Sequence, residues 1–189
     1  MNLEELKSAL IKLNEFIYFD NTHYLRDKCS NEDLLREVIK KFEDRIDLLT
    51  ERAVELNSEK IFLYSNIGNL YRIVGKTKLA IESLQIAITL GESKQINNVI
   101  RLGEALKYDG QHEQALNKFD EAIELCVNNT TFLDFAFQHK GKCLLELGQT
   151  SLAVDYFRKA MQIRLIKGDQ SLIDSTQKAI DFTYLQGGI

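Results

Sequence analysis

Histidine and cysteine side chains are the residues of this chain best suited to chemistry, and two of them share a predicted helix face. His139 precedes Cys143 by four residues, which places both side chains on one side of an α-helix. An imidazole close to a thiol can generate a reactive thiolate. We favour a buried cysteine below an exposed histidine, because free cysteine is most often a core residue. Loss of an activity in His139→Ala or Cys143→Ser would favour the catalytic interpretation.

The spacing of the other candidates argues against catalysis and against a bound cofactor. His23, His112 and His139 lie far apart, and none stands in a metal-ligand spacing such as His-Glu-x-x-His. The glycines are single and evenly spaced, unlike the glycine-rich motifs that bind phosphate. Three cysteines at wide spacing predict reduced thiols. We therefore expect no enzyme activity, no metal site and no cofactor, because no set of nucleophile, base and orienting residue can be assembled.

The composition is typical of a folded helical protein without a strongly charged surface. Proline and tryptophan are absent, and the long segments are rich in good helix formers. The formal net charge of -4 over 189 residues is small, so we expect no binding to nucleic acid or to an anionic membrane. Acids stand at the start, where a secretory signal needs positive charge, and no apolar run approaches the roughly 20 residues of a membrane span. These features predict an all-α protein in the cytoplasm.

One pattern recurs three times with identical internal offsets. It consists of a small residue, a turn glycine, an alanine, a large apolar residue and a final alanine. The copies are Gly68, Gly75, Ala80, Leu84 and Ala87; Gly103, Gly110, Ala115, Phe119 and Ala122; and Gly141, Gly148, Ala153, Phe157 and Ala160. The spacing between copies varies only after the last alanine, which predicts that the variable part lies in the links between units.

This pattern indicates antiparallel pairs of helices. Gly75, Gly110 and Gly148 each end one amphipathic stretch, where a residue that adopts a left-handed conformation terminates a helix and reverses the chain. The mid-helix glycine and the first alanine of each copy allow the two helices to approach closely. Each pair leaves an apolar side uncovered, so the pairs must stack into a solenoid.

The pattern resembles the tetratricopeptide repeat, a 34-residue unit with Leu-Gly at positions 7 and 8, Gly at 15, Ala at 20, Phe at 24 and Ala at 27. On that scheme three units cover residues 61–94, 96–129 and 134–167. The proline that the family usually carries at position 32 is absent from all three units. The resemblance implies a right-handed superhelical solenoid of antiparallel helix pairs, and it is far more specific for fold than for function.

Amphipathic segments flank the units and predict a single domain over residues 1–189. Residues 169–186 predict a capping helix that covers the end of the solenoid. Residues 3–19 predict one helix, and residues 30–56 predict a longer one that begins near Ser30-Asn31-Glu32-Asp33. These two helices, within residues 1–60, are candidates for a degenerate fourth pair. We interpret residues 20–29 as an ordered surface loop.

In the family that the units resemble, the first helix of each unit lines a concave groove that binds the ligand. Carried onto this chain, those positions supply cations, amides and aromatic anchors suited to an extended peptide with acidic groups. The resemblance implies these groove residues: Phe62, Asn69, Arg72, Asn97, Arg101, Glu104, Lys107, Tyr108, Phe135, Gln138, His139 and Lys142. The carboxylate clamp of chaperone adaptors in the family is not expected, because only Asn69 of its five positions matches.

Two functions remain open. The favoured hypothesis is a protein–protein interaction module that binds a partner protein or an extended peptide in the groove, as an adaptor, an immunity-type inhibitor or a regulator. The alternative is a cytoplasmic regulator that senses a peptide or a small ligand, although residues 1–60 show neither further repeats nor a helix-turn-helix output domain. The sequence also leaves open whether the protein is a monomer or a homodimer that pairs through its N-terminal helices.

Overall fold

Helices dominate the computed structural model, which describes residues 2–50, 57–91, 95–127 and 129–187. A short 3-10 turn at Thr130–Phe132 leads into the seventh helix. The elements, in chain order, are α1 (Leu3–Asn14), β1 (Ile17–Asp20), β2 (Arg26–Cys29), α2 (Glu32–Thr50), α3 (Asn57–Ile73), α4 (Thr77–Leu90), α5 (Ile96–Tyr108), α6 (His112–Leu125), α7 (Leu133–Glu146), α8 (Thr150–Lys167) and α9 (Gln170–Gly187).

The helices from α3 to α8 form three antiparallel pairs, and each pair packs against the next. α2 packs against the first helix of the first pair, α1 packs against α2, and α9 packs against α8. One apolar core runs from α1 to α7 and includes Leu6, Leu63 and Phe119. The predicted all-α solenoid of helix pairs is therefore confirmed, with one small β-hairpin added to it.

Close packing within a pair depends on the mid-helix glycine of α5. A Cβ atom built on Gly103 would lie 2.6 Å from Cε1 of Phe119 in α6. The equivalent distances are 2.7 Å from Gly68 to Leu84 and 2.6 Å from Gly141 to Phe157. The register predicted from the repeated pattern is the register in which the helices pack.

The turn between α5 and α6 shows why a glycine ends the first helix of a unit. Gly110 has a φ of 81°, a left-handed value that side-chain-bearing residues rarely adopt. The amides of Gly110 and Gln111 donate to the carbonyls of Lys107 and Leu106 at 3.1 and 2.9 Å. These bonds satisfy carbonyls at the end of the helix and reverse the chain.

The N-terminal region differs from the prediction. The helix expected over residues 3–19 ends at Asn14. The loop expected over residues 20–29 instead contains the turn and the second strand of a hairpin, in which Ile17 pairs with Cys29 and Asp20 with Arg26. Ile-Tyr-Phe at 17–19 favours an extended backbone. The Asp20 carboxylate accepts hydrogen bonds from the backbone N–H and the hydroxyl of Thr22 at 2.8 and 2.6 Å, which starts the turn.

The ends of the solenoid are described only in part. α9 occupies the region predicted for the capping helix, and α3 begins four residues before the predicted start of the first unit. The end expected for the helix near Leu56 lies outside the described residues, as do residues 92–94 and 128 in the links. The assignment of residues 1–189 to a single domain stays a prediction. No helix in the described ranges is long and apolar enough to cross a membrane.

Candidate functional site

A cavity of about 340 Å³ lies on the face formed by the first helices of the three units. α3, α5 and α7 provide its floor, the β1–β2 hairpin provides one wall, and the start of α9 provides another. Nine of the twelve predicted groove residues line this cavity: Asn69, Arg72, Asn97, Arg101, Glu104, Phe135, Gln138, His139 and Lys142. The structure therefore brings together side chains from all three units at one site.

Phe62, Lys107 and Tyr108 do not line the cavity, which differs from the prediction. The ring of Phe62 stacks on Phe42 of α2, with ring centroids 6.1 Å apart. The ammonium of Lys107 is 3.2 Å from the carboxylate of Glu146, and both side chains are almost fully buried. The hydroxyl of Tyr108 accepts a hydrogen bond from the backbone N–H of Asp27 in the hairpin. Packing with the N-terminal elements accounts for the positions of Phe62 and Tyr108, and the ion pair with α7 accounts for that of Lys107.

Arg72 is the centre of a buried charge cluster. Its Nη2 donates to Asp27 of the hairpin at 2.6 Å, and its Nη1 lies 3.5 Å from Glu104. Burial disfavours the charged guanidinium, but the carboxylates of Glu104 and Asp27 outweigh it and raise the pKa of Arg72. Burial likewise raises the pKa of Asp27, yet Arg72 and Lys142 hold it at about 2. The cluster is therefore ionised at neutral pH.

The pair of His139 and Cys143 does not form a catalytic dyad. Cys143 is fully buried, and burial raises the pKa of its thiol to about 11. Its Sγ contacts the carbonyl of His112 at 3.7 Å. The expected exposure of His139 is wrong: its side chain is 16% exposed, and burial lowers its pKa to about 4. At neutral pH the thiol is protonated and the imidazole is neutral.

The arrangement of the Cys, His, Asp and Glu side chains also bears on metal binding. No group of three or more of them is arranged to hold a metal ion within the described ranges.

Two cations at the cavity have no carboxylate partner in the part of the chain that the structure describes. Arg101 donates through Nη1 to the hydroxyl and carbonyl of Ser65 at 2.6 and 3.3 Å. The ammonium of Lys142 donates to the carbonyl of Leu25 at 3.1 Å. No ion pair of either cation occurs within the described part of the chain. Burial lowers the pKa of Arg101, and it lowers the pKa of Lys142 to about 8. An anion that enters the cavity would offset this cost of burying positive charge.

Gln138 places an unused amide at the same cavity. Its side chain is 2% exposed, and within the described residues neither its Nε2 nor its Oε1 has a hydrogen-bond partner. A buried amide without partners is costly, and such exceptions often mark a site that a ligand or water completes. Because one amide offers a donor and an acceptor side by side, Gln138 can pair with the N–H and C=O of a peptide backbone.

Arg164 closes the C-terminal side of the cavity and is already paired. Its Nε donates to Asp134 at 2.9 Å, and its Nη1 donates to the carbonyl of Leu172 and the hydroxyl of Thr176 at 3.0 and 2.7 Å. This network joins α7, α8 and α9. Arg164 therefore positions the wall of the cavity, while Arg101 and Lys142 are the cations left for a ligand.

The hairpin supplies site residues that the sequence pattern did not reveal. Phe19 and Asp27 line the cavity, and Arg26 pairs with Glu146 at the end of α7. These hairpin residues were predicted to lie in a helix and a loop outside the repeats, because nothing in the repeat scheme relates residues 17–29 to the units. The extended-favouring Ile-Tyr-Phe stretch before Asp20-Asn21 is the signal that could have indicated a hairpin.

Comparison with known proteins relates the chain to helical repeats. The family model described as tetratricopeptide repeat matches residues 136–165. Outer dynein arm-docking complex subunit 4 of Homo sapiens is 27% identical over 141 residues, which cover 66% of this chain but only 20% of that protein. The chain therefore spans about a fifth of the length of this curated relative.

Solved structures show the same fold at low identity. The Rap protein complexed with competence and sporulation factor has a TM-score of 0.71 and 16% identity, and the match covers 83% of this chain and 45% of that one. Bacillus thuringiensis PlcR, in complex with the peptide PapR7 and DNA, has a TM-score of 0.63 and 17% identity, and the match covers 77% of this chain and 53% of that one. The resemblance identified from the repeated glycines and alanines is confirmed.

Proposed function

Since residues 136–165 match the tetratricopeptide-repeat model and the chain folds as stacked helix pairs, we propose that it binds a partner protein or an extended peptide on the face formed by α3, α5 and α7. The observation that carries the proposal is the composition of the cavity. Among the described residues, Arg101 and Lys142 have no carboxylate partner, and the buried amide of Gln138 has no hydrogen-bond partner. All three are satisfied together by a peptide that carries an acidic group.

The positions of these groups indicate how such a peptide binds. A carboxylate from the peptide pairs with Arg101 on α5 or Lys142 on α7, in charge-assisted hydrogen bonds. The amide of Gln138 accepts a backbone N–H and donates to a backbone C=O. Phe135 and Ile100 line the same cavity and provide apolar contact. The acidic group and the peptide backbone are thus recognised by different side chains.

The compared proteins support a peptide or protein as the ligand. PlcR was crystallised with the peptide PapR7, and PcrH was crystallised with the chaperone binding region of PopB. Each adopts the fold of this chain at under 25% identity, so the ligands do not transfer in detail. We propose accordingly an adaptor, inhibitory or regulatory role without enzyme activity, in the cytoplasm, for a monomer or a homodimer.

A sensor of a peptide or small ligand is the second candidate. It is favoured by the size of the cavity, because about 340 Å³ lies at the lower end of the range of small-molecule sites. The two candidates differ in what they predict for the isolated chain: a sensor binds a free small molecule, whereas an interaction module retains a macromolecule.

Affinity capture from a lysate of the source organism tests the proposal. The variant Arg101→Gln/Lys142→Met removes both unpaired cations at similar side-chain volume. The matched control, Arg36→Gln/Arg158→Gln, removes two cations whose side chains are 62% and 61% exposed. We expect the wild type and the control to retain the same partner and the groove variant to lose it. Equal retention by a correctly folded groove variant would place the binding site elsewhere.

A further inference from the structure

The hairpin residues Leu25, Arg26 and Asp27 lie on the first helices of the units in the manner of a bound peptide. Lys142 donates to the carbonyl of Leu25 at 3.1 Å. The guanidinium of Arg26 donates to both carboxylate oxygens of Glu146 at 3.0 and 2.6 Å. The carboxylate of Asp27 accepts from Arg72 at 2.6 Å. Three consecutive residues thus use backbone, cation and anion contacts to α3 and α7.

Tyr108 of α5 completes this set of contacts. Its hydroxyl accepts a hydrogen bond from the backbone N–H of Asp27 at 2.5 Å. The guanidinium carbons of Arg26 and Arg72 lie 4.7 and 4.6 Å from the centre of its ring, within the range of cation–π attraction. The segment is therefore held by charge, by hydrogen bonds to its backbone and by an aromatic surface, which are the means by which grooves bind extended peptides.

The internal interactions of the hairpin are a short antiparallel ladder, the hydrogen bonds of Thr22 to Asp20 and the ion pair of Asp20 with Lys28 at 2.7 Å. Each strand has four residues, and an isolated two-stranded hairpin is marginally stable in water. Tyr24 and Leu25 both have left-handed φ values, 52° and 55°, which are unfavourable for residues with large side chains. Tyr18, Phe19 and Tyr24 remain partly exposed. Leu25 also packs in the apolar core with Leu144 and Phe157, so local opening requires the loss of this packing together with the polar contacts to the helices.

We propose that this hairpin is an intramolecular stand-in for the partner, and that the partner segment places a basic residue followed by an acidic residue where Arg26 and Asp27 now lie. The proposal rests on the proposed function only in that both use the same face. Glu146 and Arg72 select the two charges, and Lys142 and Tyr108 bind the backbone. An attached segment has a high effective concentration, so the partner displaces the hairpin only if it extends into the cavity as well.

Binding of the segment supplied as a separate peptide tests the proposal. The probe is a fluorescein-labelled peptide with the sequence of residues 22–28, Thr-His-Tyr-Leu-Arg-Asp-Lys, measured by fluorescence polarisation. The full chain with Arg26→Ala/Asp27→Ala is the released variant, because both changes lie on the hairpin and leave the helices intact. We expect it to bind the peptide at least tenfold more tightly than the wild type does.

A peptide with both charged residues replaced by alanine is the specificity control. We expect the released variant to bind this control at least tenfold more weakly than the native sequence. Adding Arg72→Gln to the released variant is expected to weaken binding of the native peptide in the same way. Equal binding of both peptides, or equal binding by wild type and released variant, would overturn the proposal.

A second measurement does not depend on the variant being folded. In native-state hydrogen exchange of the wild type, we expect the hairpin amides, such as that of Ser30 bonded to Phe16, to exchange by local opening that is at least tenfold more frequent than opening of α5. If the hairpin amides exchanged only through global unfolding, the hairpin would be a fixed part of the fold that a partner does not displace, and the proposal would be wrong. This measurement needs no partner, so its result does not depend on whether the lysate capture succeeds.

Discussion

Arg26 and Glu146 form a two-pronged ion pair between the N-terminal hairpin and the last turn of α7, although 120 residues separate them in sequence. Glu146 is 3% exposed and also contacts Lys107 and His112. Burial raises the pKa of Glu146, but its bonds to Arg26 and the charge of Lys107 outweigh burial and lower it to about 2. The hairpin is therefore tied to the third unit by a fully ionised pair.

Loss of this ion pair is expected to destabilise the protein. Arg26→Ala removes two hydrogen bonds from the carboxylate of Glu146 and leaves it with Lys107 and His112, so we expect a loss of about 1–3 kcal/mol in the free energy of unfolding. Arg36→Ala removes an exposed helix pair with Glu32 and is expected to cost under about 0.5 kcal/mol. Midpoints of urea unfolding compare the two variants. Equal midpoints would mean that the hairpin contributes little to the stability of the solenoid.

Acid is expected to weaken the protein through the same carboxylate. The folded-state pKa of Glu146, about 2, lies below its unfolded value of about 4.3. Its contribution is therefore complete above about pH 5 and is lost as the pH falls toward 2. Glu146→Gln is expected to be less stable than the wild type at pH 6, and the difference is expected to shrink between pH 5 and pH 2. Thermal unfolding across that range measures it, and a constant difference would contradict the assignment.

Lys142 is expected to produce a second rise of stability with pH, at alkaline values. Its folded-state pKa, about 8, lies below the unfolded value of about 10.4, so the unfolded chain binds more protons between these values. Stability therefore rises with pH between about 8 and 10. We expect the wild type to gain up to about 3 kcal/mol relative to Lys142→Met over that interval. An acidic peptide bound at Lys142 is expected to bind more weakly as the ammonium is neutralised, which the same series of buffers tests.

The two kinds of glycine are expected to respond differently to alanine. Gly103→Ala forces a Cβ atom against the ring of Phe119 and is expected to cost about 1–3 kcal/mol. Gly110→Ala meets no neighbouring atom within 4 Å, but its left-handed φ is expected to cost about 1 kcal/mol. The double variant Gly103→Ala/Phe119→Leu separates the causes. If overpacking is the reason, its loss of stability is smaller than the sum of the two single losses.

The thiol of Cys143 is expected to resist modification in the folded protein. Cys29 lies on β2 and is partly exposed, whereas Cys143 is fully buried with a pKa of about 11. Iodoacetamide at pH 8 is expected to label Cys29 well before Cys143, as followed by mass spectrometry of the tryptic peptides. Early labelling of Cys143 would contradict its burial.

The solenoid was predictable because its determinants are local and periodic. Gly103 and Phe119 recur at fixed offsets in every unit, and each offset records a contact between neighbouring helices. The groove was predictable to the extent that its residues lie on those same helices, as for Arg72 and Gln138. Outside the three units the repeated pattern is absent and predicts no contacts.

The hairpin and the charge cluster were not predictable by the same reasoning. The helical periodicity of residues 3–13 continues by chance through Ile17, and the hairpin is held by contacts with helices that lie 45 to 120 residues away in sequence. Lys107 and Arg72 were predicted to offer their charges to a ligand in the groove, yet they are 1% and 3% exposed, because Glu146 and Asp27 neutralise them from other elements. Pairing across such distances leaves no trace in spacing along the chain.

The hairpin also changes the mechanics of the array. Repeat units that contact only their neighbours can bend relative to one another, and they can unfold one at a time from the ends of the array. Here Arg26 and Asp27 contact α3, α5 and α7 together, so the first helices of the three units are also joined through the hairpin. Bending and unfolding of the three units are thereby coupled. Release of the hairpin from the helices would let the units bend and unfold more independently.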